Sequence, residues 1–313
     1  MSRNIVVVGS LNADFVINLD RFPAPGETIA GTSFETFPGG KGGNQAYAAA
    51  QLGGEVLMLG QIGGDAQGIW LRNNLATAGV DVSHLLEDRE VTSGVAFISI
   101  DHRGQNQIII VPGANGTFSV AKLKQHQSVI ERAQIVLLQL EIPLATVIEA
   151  ARIAKQSGAV VMLDPAPAEK PLPDELLALV DYLTPNESEL ATLTDVGLSE
   201  AIDLREIGAR ARELIARGAA KVIVKLGGAG ALFVSAESQH FWPSISVPIV
   251  DTTAAGDAFN AGFAIALAEG MSEEDAGRLA TAAAACSVMR PGAQPSMPTR
   301  GEVDQLLKQH PPQ

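Results

Sequence analysis

The chain has 313 residues, 46% apolar and 18% charged, with a formal net charge of −13. That composition supplies a large core and leaves little to favour disorder, and the acidic balance argues against general affinity for nucleic acid or an anionic membrane surface. A small ligand is the better expectation. The single cysteine, Cys286, has no partner for an internal disulfide and no companion at metal-ligand spacing, which fits a reducing compartment and a cytoplasmic protein. No apolar run approaches the ~18 residues of a membrane span.

Residues 4–9 (NIVVVG) form a continuous β-branched run closed by glycine, the pattern of a strand buried on both faces. Residues 14–37 then break the pattern with looser alternation and turn signals. A glycine-rich run at 39–45 opens a small-residue helix predicted over 46–52, and a strand follows at 55–59. Residues 92–111 again alternate loosely around the turn His102-Arg103-Gly104, so 14–37 and 92–111 are expected to form antiparallel strands, a small sheet projecting over a site. Strands at 135–140, 159–163 and 221–226 alternate with helices at 144–156, 202–216 and 258–268, the grammar of βαβ units and a mostly parallel sheet. The whole of 1–313 is expected to be one α/β domain, with only the tail at 309–313 loose. Ligands then belong at the carboxyl ends of the strands.

Three segments carry chemistry. DTTAAGD at 251–257 places small residues at the start of a helix, where free N–H groups and the helix dipole can hold an anion. Asp257 sits there either as a plain cap or as an ionised proton acceptor. Gly39-Gly40-Lys41-Gly42-Gly43-Asn44-Gln45 combines close backbone approach with polar donors suited to hydroxyls or phosphate. It is not a Walker A loop, because glycine rather than Ser/Thr follows the lysine and no glycine stands five positions before Gly40. Asn186 and Glu189, three apart at a predicted helix start, either organise a hydrated Mg²⁺ or simply cap the helix. Gly227-Gly228-Ala229-Gly230 after the 221–226 strand either admits a nucleotide or makes a tight turn. Neither it nor Gly9-Ser10-Leu11-Asn12 has the spacing of a dinucleotide fingerprint, which weakens an oxidoreductase reading.

Together these segments resemble the ribokinase family of carbohydrate kinases, also called the PfkB family, from about residue 5 to 296. DTTAAGD matches the family's D-T-x-[AG]-[AG]-G-D motif. Asn12-Ala13-Asp14, GGKGGNQA at 39–46, Gln139-Leu140-Glu141 and Gly292-Ala293-Gln294-Pro295-Ser296 are similar to the ribose-phosphorylating members rather than to the adenosine or fructose kinases. The resemblance implies a ribokinase-like three-layer α/β sandwich with a lid, and transfer of the ATP γ-phosphate to O5 of D-ribose. It makes Asp257 the general base and gives Ala254, Ala255 and Gly256 the anion hole. Asn12, Ala13, Asp14, Gly39, Gly40, Lys41, Gly42, Asn44 and Glu141 become ribose contacts.

By the same resemblance the nucleotide meets Asn186, Glu189, Lys225, Leu226, Gly227, Gly228, Ala229, Gly230, Gly256 and Thr281, with Mg²⁺ near Glu189. Lys225 departs from the threonine of some relatives, and Thr281 falls where others have His or Asn at the adenine edge. A monovalent cation, K⁺, is implied between Asp251 and Ser296, with carbonyls of Thr253, Ser287, Arg290 and Gly292, an all-oxygen set suited to a hard ion. A homodimer through the lid is implied as well. The alternatives are a related kinase for another pentose, a ketohexose or a nucleoside, or a sugar-binding protein without turnover.

Overall fold

The structure, a computed structural model, describes residues 4–197 and 202–311. The chain runs β1 (Asn4–Val8), β2 (Asn12–Asn18), β3 (Ser33–Gly39), α1 (Lys41–Gln51), β4 (Glu55–Leu59), β5 (Gln61–Gly63), α2 (Ala66–Thr77), β6 (Leu86–Asp88), β7 (Gly94–Ile100) and β8 (Asn106–Val111). It continues through α3 (Val120–Lys124), α4 (Gln127–Ile130), β9 (Ile135–Leu138), α5 (Leu144–Ser157), β10 (Val160–Leu163), α6 (Asp174–Leu177), β11 (Tyr182–Leu183), α7 (Glu187–Thr194) and α8 (Leu204–Ala216). The last part is β12 (Lys221–Lys225), β13 (Gly230–Val234), β14 (Gln239–Pro243), α9 (Ala255–Ala268), α10 (Glu273–Ser287) and α11 (Arg300–Gln309).

Eight strands form the central sheet in the order β14-β13-β12-β11-β10-β9-β1-β4. The pairings from β4 to β12 are parallel, and β13 and β14 close one edge antiparallel. Because successive side chains point to opposite faces, a strand buried on both sides feeds two cores. Ile5 and Val7 of β1 pack in one core with α1, α9 and α10, while Val6 and Val8 enter the other with α5 and α8. The result is a three-layer α/β sandwich, as the alternation of strand and helix patterns predicts.

A separate four-stranded sheet, β3-β2-β7-β8, makes the lid. Its strands overlap the two segments expected to form it, with β2 beginning two residues early at Asn12 and β3 running on to Gly39, but not all are antiparallel: β2 pairs with β7 in parallel, Asn12 to Asn18 alongside Gly94 to Ile100. The two segments are separated by α1 through β6, and so long a crossover permits a parallel pairing that a hairpin forbids. Two helices also begin earlier than expected, α1 at Lys41 rather than 46 and α9 at Ala255 rather than 258. Their first turns hold small or polar residues that carry no apolar period, so the pattern is silent where the helix is not. Helix α8 starts at Leu204 rather than 202, with Asp203 as its cap, and α11 runs through Gln309, while residues 312–313 of the expected loose tail lie outside the described residues. No helix among the described residues is long and apolar enough to cross a membrane.

Candidate active site

Every parallel strand from β1 to β12 that borders the site delivers its functional residues just past its carboxyl end, where the backbone leaves the sheet. Beyond β1 come Ser10 and Asn12, beyond β9 Gln139 and Glu141, beyond β10 Asp164 and beyond β11 Asn186, with Lys225 as the last residue of β12. A cleft of about 930 Å³ opens there, roofed by Asp14, Ala96, Ile98, Ile108 and Ile110 of the lid and floored by the starts of α1 and α9.

Asp257 lies in the first turn of α9 and is only 5% exposed. Its two oxygens are held separately, Oδ2 by Asn44 Nδ2 at 3.0 Å and Oδ1 by Gln45 Nε2 at 3.0 Å. Burial pushes its pKa up to about 6 and Asp164 adds to the rise, while Lys41 and the two amide donors oppose it. Burial thus moves the group toward the range in which a carboxylate can exchange a proton. Ala254 caps this helix in the left-handed region, φ 59°, a conformation that alanine adopts at a cost of roughly 1–2 kcal/mol. The turn it makes sets Ala255, Gly256 and Asp257 of the first turn of α9, where N–H groups lack helical acceptors, along the cleft, with Ala255 N–H donating to Thr252 O at 3.3 Å.

The start of α1 is built differently. Gly40 has φ 82°, and a Cβ there would lie 2.7 Å from the backbone nitrogen of Asn12. Only glycine lets the helix start pack this tightly on the turn between β1 and β2. Glu141 fixes the same corner, accepting from Ser10 Oγ at 2.5 Å and from Lys41 N at 3.0 Å. For Lys41, burial disfavours the ammonium, but the carboxylates of Asp257, Asp164, Glu141 and Glu189 outweigh it and hold the side chain above the usual lysine range. Asp14 enters the same cleft from the lid. Burial pushes its carboxyl up to about 7, with Glu141 and Asp257 adding to the rise.

The cleft thus brings together Asn12, Asp14, Gly40, Lys41, Asn44, Glu141, Asn186, Glu189, Lys225, Gly227, Gly228, Gly230, Ala254, Ala255, Gly256, Asp257 and Thr281. Some expected contacts do not line it. Ala13 is buried on the strand face opposite Asp14, Gly39 stands against the Asp14 carboxylate, and Gly42 is pressed on the backbone of Ser10. Leu226 and Ala229 pack into the core, so only part of 225–230 reaches the cleft, and Gly227-Gly228-Ala229 is itself a tight 3-10 turn. Asn186 and Glu189 form a complete capping box on α7, 2.8 and 2.7 Å, while still lining the cleft. Cap and site are the same residues.

The expected cation residues lie beside the cleft rather than in it, apart from Thr253, which lines it. Asp251 accepts from Thr253 N at 2.9 Å and from Gly292 N at 2.8 Å, joining the two loops directly. Burial would raise its pKa, yet these donors hold the carboxyl below its ordinary value. Ser296 donates to Ala293 O and Ser287 to Ala284 O, whereas the Arg290 side chain turns away to Glu302.

Several contacts around the site carry no local sequence signal. Asn115 is buried in the turn after β8, yet it binds Leu11 through both backbone groups and donates to Asn12 Oδ1 at 2.8 Å, so the lid's return segment orients Asn12. Gln45 bridges Asp257 and Asp164 and is itself held by Gln139, whose Nε2 donates to Gln45 Oε1 at 2.7 Å. Asp164 pairs with Lys225 at 2.9 Å. These contacts span 61 to 212 positions of sequence, and no spacing rule reaches that far.

The description "pfkB family carbohydrate kinase" belongs to the family model that matches residues 2–300. The chain is 41% identical over 309 residues to the ribokinase of Haemophilus influenzae, covering 98% of this chain and 99% of that one. It is 42% identical over 306 residues to the ribokinase of Bacillus subtilis, covering 97% and 99%. Its fold superposes on the Arabidopsis thaliana ribokinase solved with ribose and ATP with a TM-score of 0.91, at 38% identity and with 98% and 99% of the two chains covered. The chain, with its acid-lined cleft beneath a lid and a buried aspartate at a helix start, belongs to the PfkB family of carbohydrate kinases.

Proposed function

We propose that this protein transfers the γ-phosphate of ATP to O5 of D-ribose, giving D-ribose 5-phosphate and ADP. The observation that carries the reading is the placement of Asp257, a buried carboxylate fixed by two amides at the anion-binding start of α9, in one cleft with Asn12, Asp14 and Glu141. Carboxylates and amides suit the dense hydroxyls of a sugar. Asp257 takes the proton of the attacking hydroxyl, and the first-turn N–H groups of α9 stabilise the charge on the transferring phosphoryl group. Lys41 adds positive charge between sugar and phosphate. The nucleotide lies along Asn186, Glu189, Gly227, Gly228 and Thr281, where Ile245, Val247 and Val288 offer an apolar wall to its base.

Mg²⁺ fits the Glu189 side of the cleft. Among the described residues no ready-made cluster of three acidic, His or Cys ligands exists, so a divalent ion would draw on phosphate, water and one or two carboxylates, as Mg²⁺ commonly does. It would supply charge neutralisation on the phosphates. The loops at 251–253 and 287–296 offer only oxygen and a single carboxylate, Asp251, which fits a monovalent hard cation such as K⁺. Held there, it would stiffen the turn that precedes the anion hole. The lid's outward face exposes Phe34 (62%), Phe97, Ile109 (67%) and Val111, with Phe15 stacked between Phe34 and Phe97, and supports a homodimer formed through this sheet. Sedimentation of the purified protein reads that assembly.

The test is ATP consumption with ribose, deoxyribose, fructose and adenosine, each in KCl and in choline chloride at equal ionic strength. Ribose should be the best acceptor by kcat/KM, and K⁺ should raise its kcat. Adenosine as the equal or better acceptor would overturn the sugar assignment, and identical rates in the two salts would remove the cation site.

A further inference from the structure

The cleft wall contains six carboxylates, Asp14, Glu141, Asp164, Glu187, Glu189 and Asp257, against two ammonium groups, Lys41 and Lys225. A triphosphate enters this surroundings as a further polyanion, and Lys41 already faces four of the carboxylates. Lys225 is differently placed. Its Nζ rests on Asp164 Oδ1 at 2.9 Å, and the two side chains are 13% and 2% exposed. A Cβ built on Gly256 would lie 3.3 Å from that Nζ, so the ammonium hangs over the first turn of α9, beside the N–H groups that receive the phosphoryl group.

Resting on the function proposed above, we propose that Lys225 is a phosphate contact held in reserve: it waits on Asp164 in the free protein and crosses to the nucleotide phosphates at the start of α9 when ATP binds. Two features make the exchange feasible. Asp164 does not depend on Lys225 for its position, because its other oxygen accepts from Gln45 Nε2 at 3.0 Å and Gln45 is locked by Gln139. A buried ion pair also contributes little net stability, since desolvation of both charges offsets their attraction. With its Nζ already beside Gly256, the lysine has only a short way to move from one anion to a stronger one. Asp164 is the positioning residue that keeps the ammonium aimed until then, and its link through Gln45 to Asp257 ties the nucleotide side of the cleft to the base.

The test measures affinity for AMP-PNP, which needs no turnover, in Lys225→Met, Asp164→Asn and the double variant. Lys225→Met should weaken AMP-PNP by about tenfold to a hundredfold, the range of a lost charge-assisted contact, and leave ribose affinity within about twofold. That single variant also strands the Asp164 charge and lowers thermal stability. The double variant removes both charges, so its melting temperature should return towards wild type while AMP-PNP stays weak. Asp164→Asn alone should bind AMP-PNP at least as well as wild type, because the lysine is then free. A double variant that binds AMP-PNP within about twofold of wild type would overturn the proposal and leave Lys225 a structural partner of Asp164. If wild type binds AMP-PNP but ribose evokes no ATP consumption, the sugar assignment fails and the lysine result still stands.

Discussion

Two helices start in the same cleft, and they solve the problem of a tight start in opposite ways. At α1 the left-handed residue is a glycine, Gly40, jammed against the backbone of Leu11 and Asn12. At α9 it is an alanine, Ala254, half-buried and bearing backbone strain. The difference teaches what each start is for. The α1 start is shaped by contact with the strand turn that carries Asn12, so in the proposed function its geometry would serve sugar recognition. The α9 start has room above it for a phosphate, and its alanine narrows the backbone's freedom where N–H groups must stay aimed. Strain of this kind persists at functional sites when the surroundings over-determine it.

Asp257→Asn keeps shape and removes basicity, so kcat should fall by about 10² to 10⁴, the usual scale for a lost general base, in a coupled assay. A variant that keeps more than about half of wild-type kcat would leave Asp257 only a structural anchor for Asn44 and Gln45, since Ala254 and not Asp257 caps the helix. Gly40→Ala puts a methyl into the backbone of Asn12 and forces alanine to φ 82°, so denaturant unfolding should show a loss of about 2–3 kcal/mol, and ribose should bind more weakly. Ala254→Gly makes the reverse exchange at the other start. The relieved left-handed strain and the added entropy of the unfolded chain nearly cancel, so stability should change by less than about 1 kcal/mol. Its kcat should still drop, because the anion-hole amides lose a constraint.

Much of the fold is legible in the amino-acid sequence. The β-branched run at 4–9 and the short apolar runs at 55–59 and 221–226 are strands because a parallel sheet buries both faces, and a run with no polar face has nowhere else to go. DTTAAGD points to an anion-binding helix start because its residues are small and its aspartate lies one turn in. The two loosely alternating segments mark the lid because one of its faces is wet. What could not be read is whatever depends on contacts between distant elements. The parallel pairing of β2 with β7, the grip of Asn115 on Asn12, and the chain from Lys225 through Asp164 and Gln45 to Asp257 leave no local trace. Asp164 is the clearest case: a lone aspartate after a strand looks like a turn residue until the sheet order sets it beside Lys225.

The central claim is that the α1 start reads the sugar and the α9 start performs the transfer. Calorimetric titration of ribose into Asp257→Asn and Gly40→Ala, side by side with wild type, tests it most directly. The account predicts that Asp257→Asn binds ribose within about threefold of wild type although its turnover is lost, whereas Gly40→Ala loses tenfold or more in affinity, about 1.4 kcal/mol. The reverse pattern, ribose binding abolished by Asp257→Asn and intact in Gly40→Ala, would contradict it.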